Sequence, residues 1–359
     1  MKIELQREFF AQKERPFVRG EQLEADLIKF KSGIPAVRLR NRFGYIDVLP
    51  YHGQMIWDAV FNGRSLKMMT PFDEPRDVDS FLDTYGCYMM HCGALRMGCP
   101  GPDDEHLQHG ELPYAKYASA SVTAGEDAKG EYIGLAGVYE YNRAFGDHYY
   151  AEPEVKLYAE SMVLEVSIRI ENLACKPMEM MYMCHINNRA VPGGRIVQAL
   201  PWTKQHMTLR DSAPKTVQVD EIYRRFLKEI NENIQRTERI NEEDVYDPEI
   251  VFFLNRPKTD EDGWTHFMYV RPDGSADYTC YKPDELDHCS RWIVRSKSME
   301  ALGLALPATA DAEGYLAEKE KGNILTIAPK QTFQTTIRVG CLNKDDSKKV
   351  EDWINQILI

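Results

Sequence analysis

Apolar and polar residues alternate along much of this chain. In residues 161–171 the apolar side chains fall at every second position, namely Met162, Leu164, Val166, Ile168 and Ile170. Similar runs cover residues 37–49, 132–141, 178–185 and 333–339, with Gly, Asn or Pro between them. Successive side chains of a strand point to opposite faces, so this period predicts half-buried strands. Many short strands separated by polar turns favour a mainly antiparallel β-sandwich, an all-β fold.

Two segments carry a helical pattern instead. In residues 220–240 apolar side chains recur every four positions, at Ile222, Phe226, Ile230 and Ile234. Residues 346–358 have the same character, and Asp346 or Ser347 is a candidate N-cap. We expect both helices to lie across the sandwich as covers. Since no stretch has the composition of a linker, we expect a single domain over residues 1–359.

Composition narrows the possible partners. The 359 residues carry a net charge of -12, and no long Lys/Arg cluster interrupts this acidic balance. Nucleic-acid binders need a basic footprint, so a nucleic-acid partner is not expected. No apolar run is long enough to span a membrane. The eight cysteines form no C-x-x-C pair and the first residues resemble no signal peptide, so we expect a cytoplasmic protein with free thiols.

Two of the nine histidines stand out by their context. His109 lies in a loop marked by Gly110 and Pro113, and loops of this kind often carry functional groups. His185 ends an otherwise apolar strand, where a titratable ring is costly unless it faces a polar cleft. Histidines that are merely packed in a core or exposed at the surface are also common. The sequence pattern leaves both interpretations open.

A set of segments resembles a known family in the order in which they occur. They are residues 48–59, 83–87, 95–100, 109–111, 182–187, 246–253, 291–293 and 306–314. The ordered set resembles the aldose 1-epimerase (galactose mutarotase-like) superfamily, and within it the deoxyribose mutarotase-like branch. The resemblance implies a supersandwich of antiparallel strands that binds a monosaccharide and needs no cofactor. It also implies that His185 is a general acid and that His109 is a second site histidine.

The catalytic base is less well defined. Opening a sugar ring needs a base at O1 and an acid at O5, and a histidine with an ordinary pKa near 6.5 suits such proton transfers. Enzymes of this family usually carry the base glutamate on a late strand. Here residues 303–310 contain no carboxylate. The nearest carboxylates are Asp311 and Glu313, and Glu249 is another candidate.

Four further residues are candidates for sugar binding. Arg96 could bond hydroxyl groups, Trp292 could stack on a sugar face, and Asn187 and His52 could line the site. Each has an ordinary structural alternative. Arginines are common at surfaces, and most tryptophans bury their area in packing.

Three rival hypotheses remain from the sequence. The missing late-strand glutamate favours a non-catalytic carbohydrate-binding or regulatory protein on the same fold. An enzyme acting on a sugar phosphate would need a basic cluster, for which Arg291, Arg295 and Lys297 are the candidates. A metal site is not expected, because the spacing of the Cys and His residues between 91 and 109 fits no familiar zinc pattern.

Overall fold

The structure, a computed structural model, describes residues 1–11, 14–211 and 220–358. Two antiparallel sheets dominate it. In the described ranges the strands are β1 (Lys2–Glu4), β2 (Arg15–Arg19), β3 (Glu24–Lys29), β4 (Pro35–Asn41), β5 (Gly44–Val48), β6 (Ile56–Phe61), β7 (Arg64–Ser65), β8 (Met89–Ala94), β9 (Ser119–Asp127), β10 (Gly130–Asn142), β11 (His148–Tyr158), β12 (Val163–Asn172), β13 (Met178–Ile186), β14 (Arg195–Gln198), β15 (Met207–Leu209), β16 (Tyr246–Leu254), β17 (Thr265–Val270), β18 (Ala276–Tyr281), β19 (His288–Arg295), β20 (Glu300–Ala308), β21 (Leu325–Ile327) and β22 (Thr332–Leu342).

The strands form a nine-stranded and a thirteen-stranded sheet. The order in the nine-stranded sheet is β1-β9-β10-β11-β12-β22-β18-β17-β14. The order in the thirteen-stranded sheet is β15-β16-β19-β20-β13-β8-β6-β5-β4-β3-β2, with β21 paired to β13 and β7 to β6. Tyr182 of β13 packs against Phe333 of β22 with ring centroids 5.8 Å apart, so the sheets face each other at this point. The predicted antiparallel sandwich is confirmed.

The period-two pattern corresponds to burial. In β12 every second residue is buried, and Val166 lies opposite Ile337 of β22. The run at residues 37–49 is not one strand but the hairpin of β4 and β5. The side chain of Asn41 accepts hydrogen bonds from the backbone N–H groups of Phe43 (2.9 Å) and Gly44 (3.1 Å), which fixes the turn.

The described residues contain three α-helices, α1 (Glu221–Glu232), α2 (Tyr315–Lys321) and α3 (Lys344–Ile357). The helix expected over 220–240 ends earlier, and a 3₁₀ turn at Ile234–Glu238 follows it. The N-cap of α3 is Asn343, whose side chain accepts from the N–H of Asp346 at 2.9 Å. Asp346 and Ser347 therefore lie inside the first turn, which corrects the predicted cap. Among the described helices, none is long and apolar enough to cross a membrane.

Helix α3 covers the outer face of the nine-stranded sheet. Its Ile354 and Trp353 pack in a small cluster with Val197 of β14, Met268 of β17 and Cys280 of β18. The opposite face of the same strands turns towards the thirteen-stranded sheet. Short α2 was not predicted, because its seven residues are mostly charged and carry no apolar period.

Candidate active site

A cavity of about 180 Å³ lies on the thirteen-stranded sheet. Strands β13, β16, β19 and β20 provide its floor, and the loops around residues 81–85 and 99–109 provide part of its rim. Met183 and His185 line it, whereas Tyr182 between the sheets points the other way. The cavity is therefore on the face that turns away from the nine-stranded sheet.

His109 reaches this cavity from a loop that is fastened to the end of β8. The N–H of Gly93 donates to the carbonyl of His109 at 3.0 Å, and the N–H of His109 donates to the carbonyl of Gly98 at 2.8 Å. Gly110 is required here, since a Cβ on it would stand 2.0 Å from the carbonyl oxygen of Arg96. His109 itself has a left-handed φ of 60°. The His-Gly pair noted in the sequence thus fixes the direction of the imidazole.

The two histidines are neighbours in an aromatic surrounding. The ring centroids of His109 and His185 are 5.1 Å apart. His185 also contacts Trp292 (5.6 Å) and Tyr85 (6.0 Å), while Phe81 packs on His109 (5.2 Å). Burial lowers the pKa of His185 to about 4 and holds the pKa of His109 well below its ordinary value. Both imidazoles are consequently neutral at pH 7.

Glu249 supplies a carboxylate at the same cavity. It lies where the pairing of β16 with β19 shifts register, between Tyr246 and Ile250. The indole N–H of Trp292 donates to Oε2 at 2.6 Å, and the guanidinium of Arg210 binds Oε1. Since the indole contacts the ring of His185 as well, a single side chain links the carboxylate to the histidine pair.

Two of the predicted sugar-binding residues take other positions. Asn187 is fully buried, accepts from the hydroxyl of Tyr85 (3.1 Å) and donates to the carbonyl of Cys87 (3.1 Å). It therefore holds Tyr85 in the cavity wall without lining the cavity itself. His52 lies in another part of the molecule, with Nε2 3.4 Å from a carboxylate oxygen of Asp77.

Arg96 and Glu313 are also absent from the cavity wall. The guanidinium of Arg96 stacks on the ring of Tyr315 (3.6 Å to the centroid) and faces a separate surface depression. Glu313 forms a salt bridge with Lys321 at 2.7 Å. Asp311 forms an ion pair with the same lysine at 3.3 Å, so Glu249 is the base candidate that lines the cavity.

The basic cluster does not form around the cavity. Arg291 is fully buried and points to the opposite face of β19, and Arg295 donates to the backbone carbonyls of Asn241, Glu242 and Asp244. Among the residues that the structure describes, no group of three His, Cys, Asp or Glu side chains is arranged to hold a metal ion. His91, one member of the Cys/His-rich stretch, instead contacts the hydroxyl of Tyr182 at 2.8 Å.

Tyr85 and Arg210 also line the cavity, and neither was predicted as a site residue. Tyr85 lies in a segment that carried the family resemblance, so that motif could have indicated it. Arg210 directly follows β15, and only the pairing of β15 with β16 brings it to Glu249. No local pattern identifies such a residue.

Solved structures share this architecture. A protein from Klebsiella pneumoniae, provisionally described as an aldose 1-epimerase, superposes with a TM-score of 0.79 at 15% identity, over 96% of this chain and 91% of that one. A galactose mutarotase-like protein from Clostridium acetobutylicum gives a TM-score of 0.61 at 14% identity, over 90% of this chain and 100% of that one. The fold is accordingly the galactose mutarotase-like β-sandwich.

Sequence comparison gives a complementary result. No curated protein matches this sequence. One family model matches residues 31–341, which is most of the chain and includes every residue of the cavity named above. That model is described as a domain of unknown function, DUF4432. The chain is therefore a member of the DUF4432 family.

Proposed function

We propose that this protein is an aldose 1-epimerase, which interconverts the α and β anomers of a small free sugar. The observation that carries the proposal is the meeting of two neutral imidazoles and one carboxylate in a single cavity. Ring opening requires a proton acceptor and a proton donor at the same time. This cavity offers both, and the indole of Trp292 contacts each of them.

The cavity suits a monosaccharide. Its volume of about 180 Å³ leaves room for one small ring. The rings of Trp292 and Tyr85 have centroids 5.8 Å apart and an interplanar angle of 28°, and they offer an aromatic surface to the apolar face of a sugar. Much of the remaining wall is apolar, including Met183, Val294 and Leu306. A sugar with few hydroxyl groups leaves fewer of them unpaired against such a wall, so 2-deoxyribose is the first substrate to test.

In the proposed reaction Glu249 removes the proton from the O1 hydroxyl while the C1–O5 bond breaks. The neutral ring of His185 gives its N–H proton to the departing O5 oxygen and is left as an imidazolate until ring closure, and the open-chain aldehyde results. Rotation about C1–C2 exposes the other carbonyl face. Ring closure then returns the proton from Glu249 to O1 and the proton from O5 to His185. His109 hydrogen-bonds the sugar and holds it beside His185.

Trp292 and Arg210 act as positioning residues for the base. Their two bonds fix the direction of the Glu249 carboxylate. The absence of a carboxylate from residues 303–310 favours one alternative, a carbohydrate-binding protein that does not accelerate anomer exchange.

Replacing Glu249 or Glu313 with Gln distinguishes an aldose 1-epimerase from a carbohydrate-binding protein. Anomer exchange of 2-deoxyribose and other aldoses is measured by exchange NMR with wild-type protein, Glu249→Gln and Glu313→Gln. The enzyme proposal predicts a loss of about 10²–10⁴-fold for Glu249→Gln. Glu313→Gln is the matched control outside the cavity and should retain most of the rate. Equal exchange rates for wild type and Glu249→Gln would contradict the assigned base.

Binding measurements complete the test. Sugar binding by the wild-type protein without acceleration of any aldose in the panel would support the carbohydrate-binding alternative.

A further inference from the structure

Arg291 is an unusual residue in the interior of this protein. It lies in the middle of β19 and is 0% exposed. Its Nε donates to the carbonyl of Leu304 at 2.9 Å, but neither Nη1 nor Nη2 has a hydrogen-bond partner among the described residues. The nearest groups include the rings of Trp202 and Phe267, 5.6 and 6.0 Å from the guanidinium carbon.

Polar side chains that lack hydrogen-bond partners also lie on the sheet face opposite Arg291. Gln198 of β14 lies across from Phe267 of β17, which in turn lies across from Thr279 of β18. Side chains that are directly opposite in antiparallel strands share a face, so this row lies on the same face as the Phe267 ring beside Arg291. Thr265 is two residues from Phe267 and shares that face. The side-chain oxygens of Gln198, Thr265 and Thr279 are all buried and unpartnered within the described structure.

Arg291 and the three unpartnered side-chain oxygens include no negatively charged group. No salt bridge joins Arg291 to any described carboxylate. Burial lowers the pKa of Arg291 to about 10, which still leaves the guanidinium charged at pH 7. A buried charge without a counter-ion is strongly unfavourable, and buried polar groups in native proteins nearly always have partners. The arrangement therefore implies an occupant between the sheets.

We propose that a small monovalent anion of the size of chloride binds between the two sheets beside Arg291. The two Nη groups donate to it, and the hydroxyl groups of Thr265 and Thr279 can rotate to do the same. Gln198 Nε2 already donates to the carbonyl of Leu200 at 3.0 Å, so its oxygen is the acceptor for a remaining guanidinium N–H. Half-buried Trp202 borders the site.

The anion site is separate from the sugar cavity and does not depend on the proposed reaction. Trp292 and Ser290, the neighbours of Arg291 along β19, point to the opposite face and line that cavity. The ion lies behind the cavity floor. Its expected effect is on the stability of the sandwich, since a ligand of the folded state alone raises the midpoint of unfolding.

Thermal unfolding in different salts tests the proposal. The wild-type protein is compared in sodium chloride, sodium bromide and sodium methanesulfonate at one ionic strength, because methanesulfonate is too large for the site. Chloride or bromide replaces methanesulfonate in steps, so that the ionic strength stays constant. We expect the midpoint of unfolding to rise by about 2 °C for each tenfold increase in the halide concentration, and methanesulfonate itself to give no such rise. Arg291→Met should abolish the halide effect. Arg295→Met is the matched control on the same strand, since that guanidinium is already bonded to carbonyls, and it should keep the effect.

A bromide soak of wild-type crystals gives a second readout that needs no variant. An anomalous peak beside Arg291 Nη1 and Nη2 would support the proposal even if Arg291→Met did not fold. A site filled by water alone, with halides and methanesulfonate equally stabilising, would overturn it. Bromide peaks confined to the surface would overturn it as well.

Discussion

The surroundings of His266 differ from those of His109 and His185. The difference distinguishes a histidine that is bonded within the fold from histidines that can meet a ligand. On the outer face of the nine-stranded sheet, His266 bonds the hydroxyl of Tyr278 (2.7 Å) and the carboxylate of Asp260 (3.2 Å), as in a proton relay. Yet the ring of Trp353 from α3 covers it, 4.4 Å away. The Nδ1 atoms of His109 and His185 have no hydrogen-bond partner among the described residues, and both rings face a cavity. A satisfied network under a helix stabilises the fold, whereas a pair of neutral rings at a cavity is available to a ligand.

The largest expected difference between the clusters is in anomer exchange. His185→Ala should reduce the rate by about 10²–10⁴-fold, since it removes the proposed proton donor to O5. His266→Ala should leave the exchange rate per folded molecule unchanged and lower the midpoint of unfolding instead, because the Asp260 and Tyr278 groups lose their partner. Exchange NMR and thermal unfolding of both variants check this. A similar loss of exchange in the two variants would break the comparison.

The pH dependence of stability sharpens the comparison. Burial lowers the pKa of His185 from 6.5 to about 4, so the unfolded chain binds a proton on this ring between pH 6.5 and 4 that the folded protein does not bind. Stability should therefore fall as the pH falls through this window, by about 3 kcal/mol from this ring. Urea unfolding at pH 7, 6, 5 and 4.5 measures the effect, and His185→Asn should make the fall smaller by this amount, while His91 and His109, whose pKa values burial also lowers, keep part of it. Parallel curves for the two proteins would show that the ring titrates normally in the fold.

A smaller effect is expected from the indole N–H at the cavity. Trp292→Phe keeps an aromatic face but removes the donor to Glu249, so the carboxylate is held by Arg210 alone. We expect kcat for anomer exchange to fall about tenfold, by the value of one charge-assisted bond, with KM little changed. Trp353→Phe, at the His266 cluster, is the matched control and should leave both constants unaltered. A change in KM without a change in kcat would mean that Trp292 binds sugar and does not position the base.

Much of the fold could be predicted from the sequence because the pattern is local. The alternation in β12 and β22 depends on neighbouring residues, and it identified both strands. Local context also drew attention to His109, beside Gly110, and to His185, near the end of an apolar strand, and both line the cavity. The predicted range of helix α1 was too long. Ile234 continues the apolar period after the helix has ended, and it is buried in a 3₁₀ turn.

The rest of the site depends on contacts between distant residues. Asn187 follows His185 at a spacing that places both on one face, and its N–H donates to the carbonyl of Tyr88 at 2.7 Å, which continues the pairing of β13 with β8. Its side chain is occupied by the hydroxyl of Tyr85 and the carbonyl of Cys87. Arg96 packs on Tyr315, more than 200 positions away, and Arg210 reaches Glu249 through strand pairing. The partners in these contacts are far apart in the chain, so local periodicity carries no information about them.

The central claim, that this cavity opens and closes a sugar ring, is tested most directly by exchange NMR on equilibrated 2-deoxyribose and a panel of other aldoses. We predict anomer exchange above the buffer rate, in proportion to the concentration of wild-type protein, and a return to the buffer rate with His185→Ala. Exchange at the buffer rate for every aldose in the panel, with sugar binding detected in the same samples, would contradict the claim.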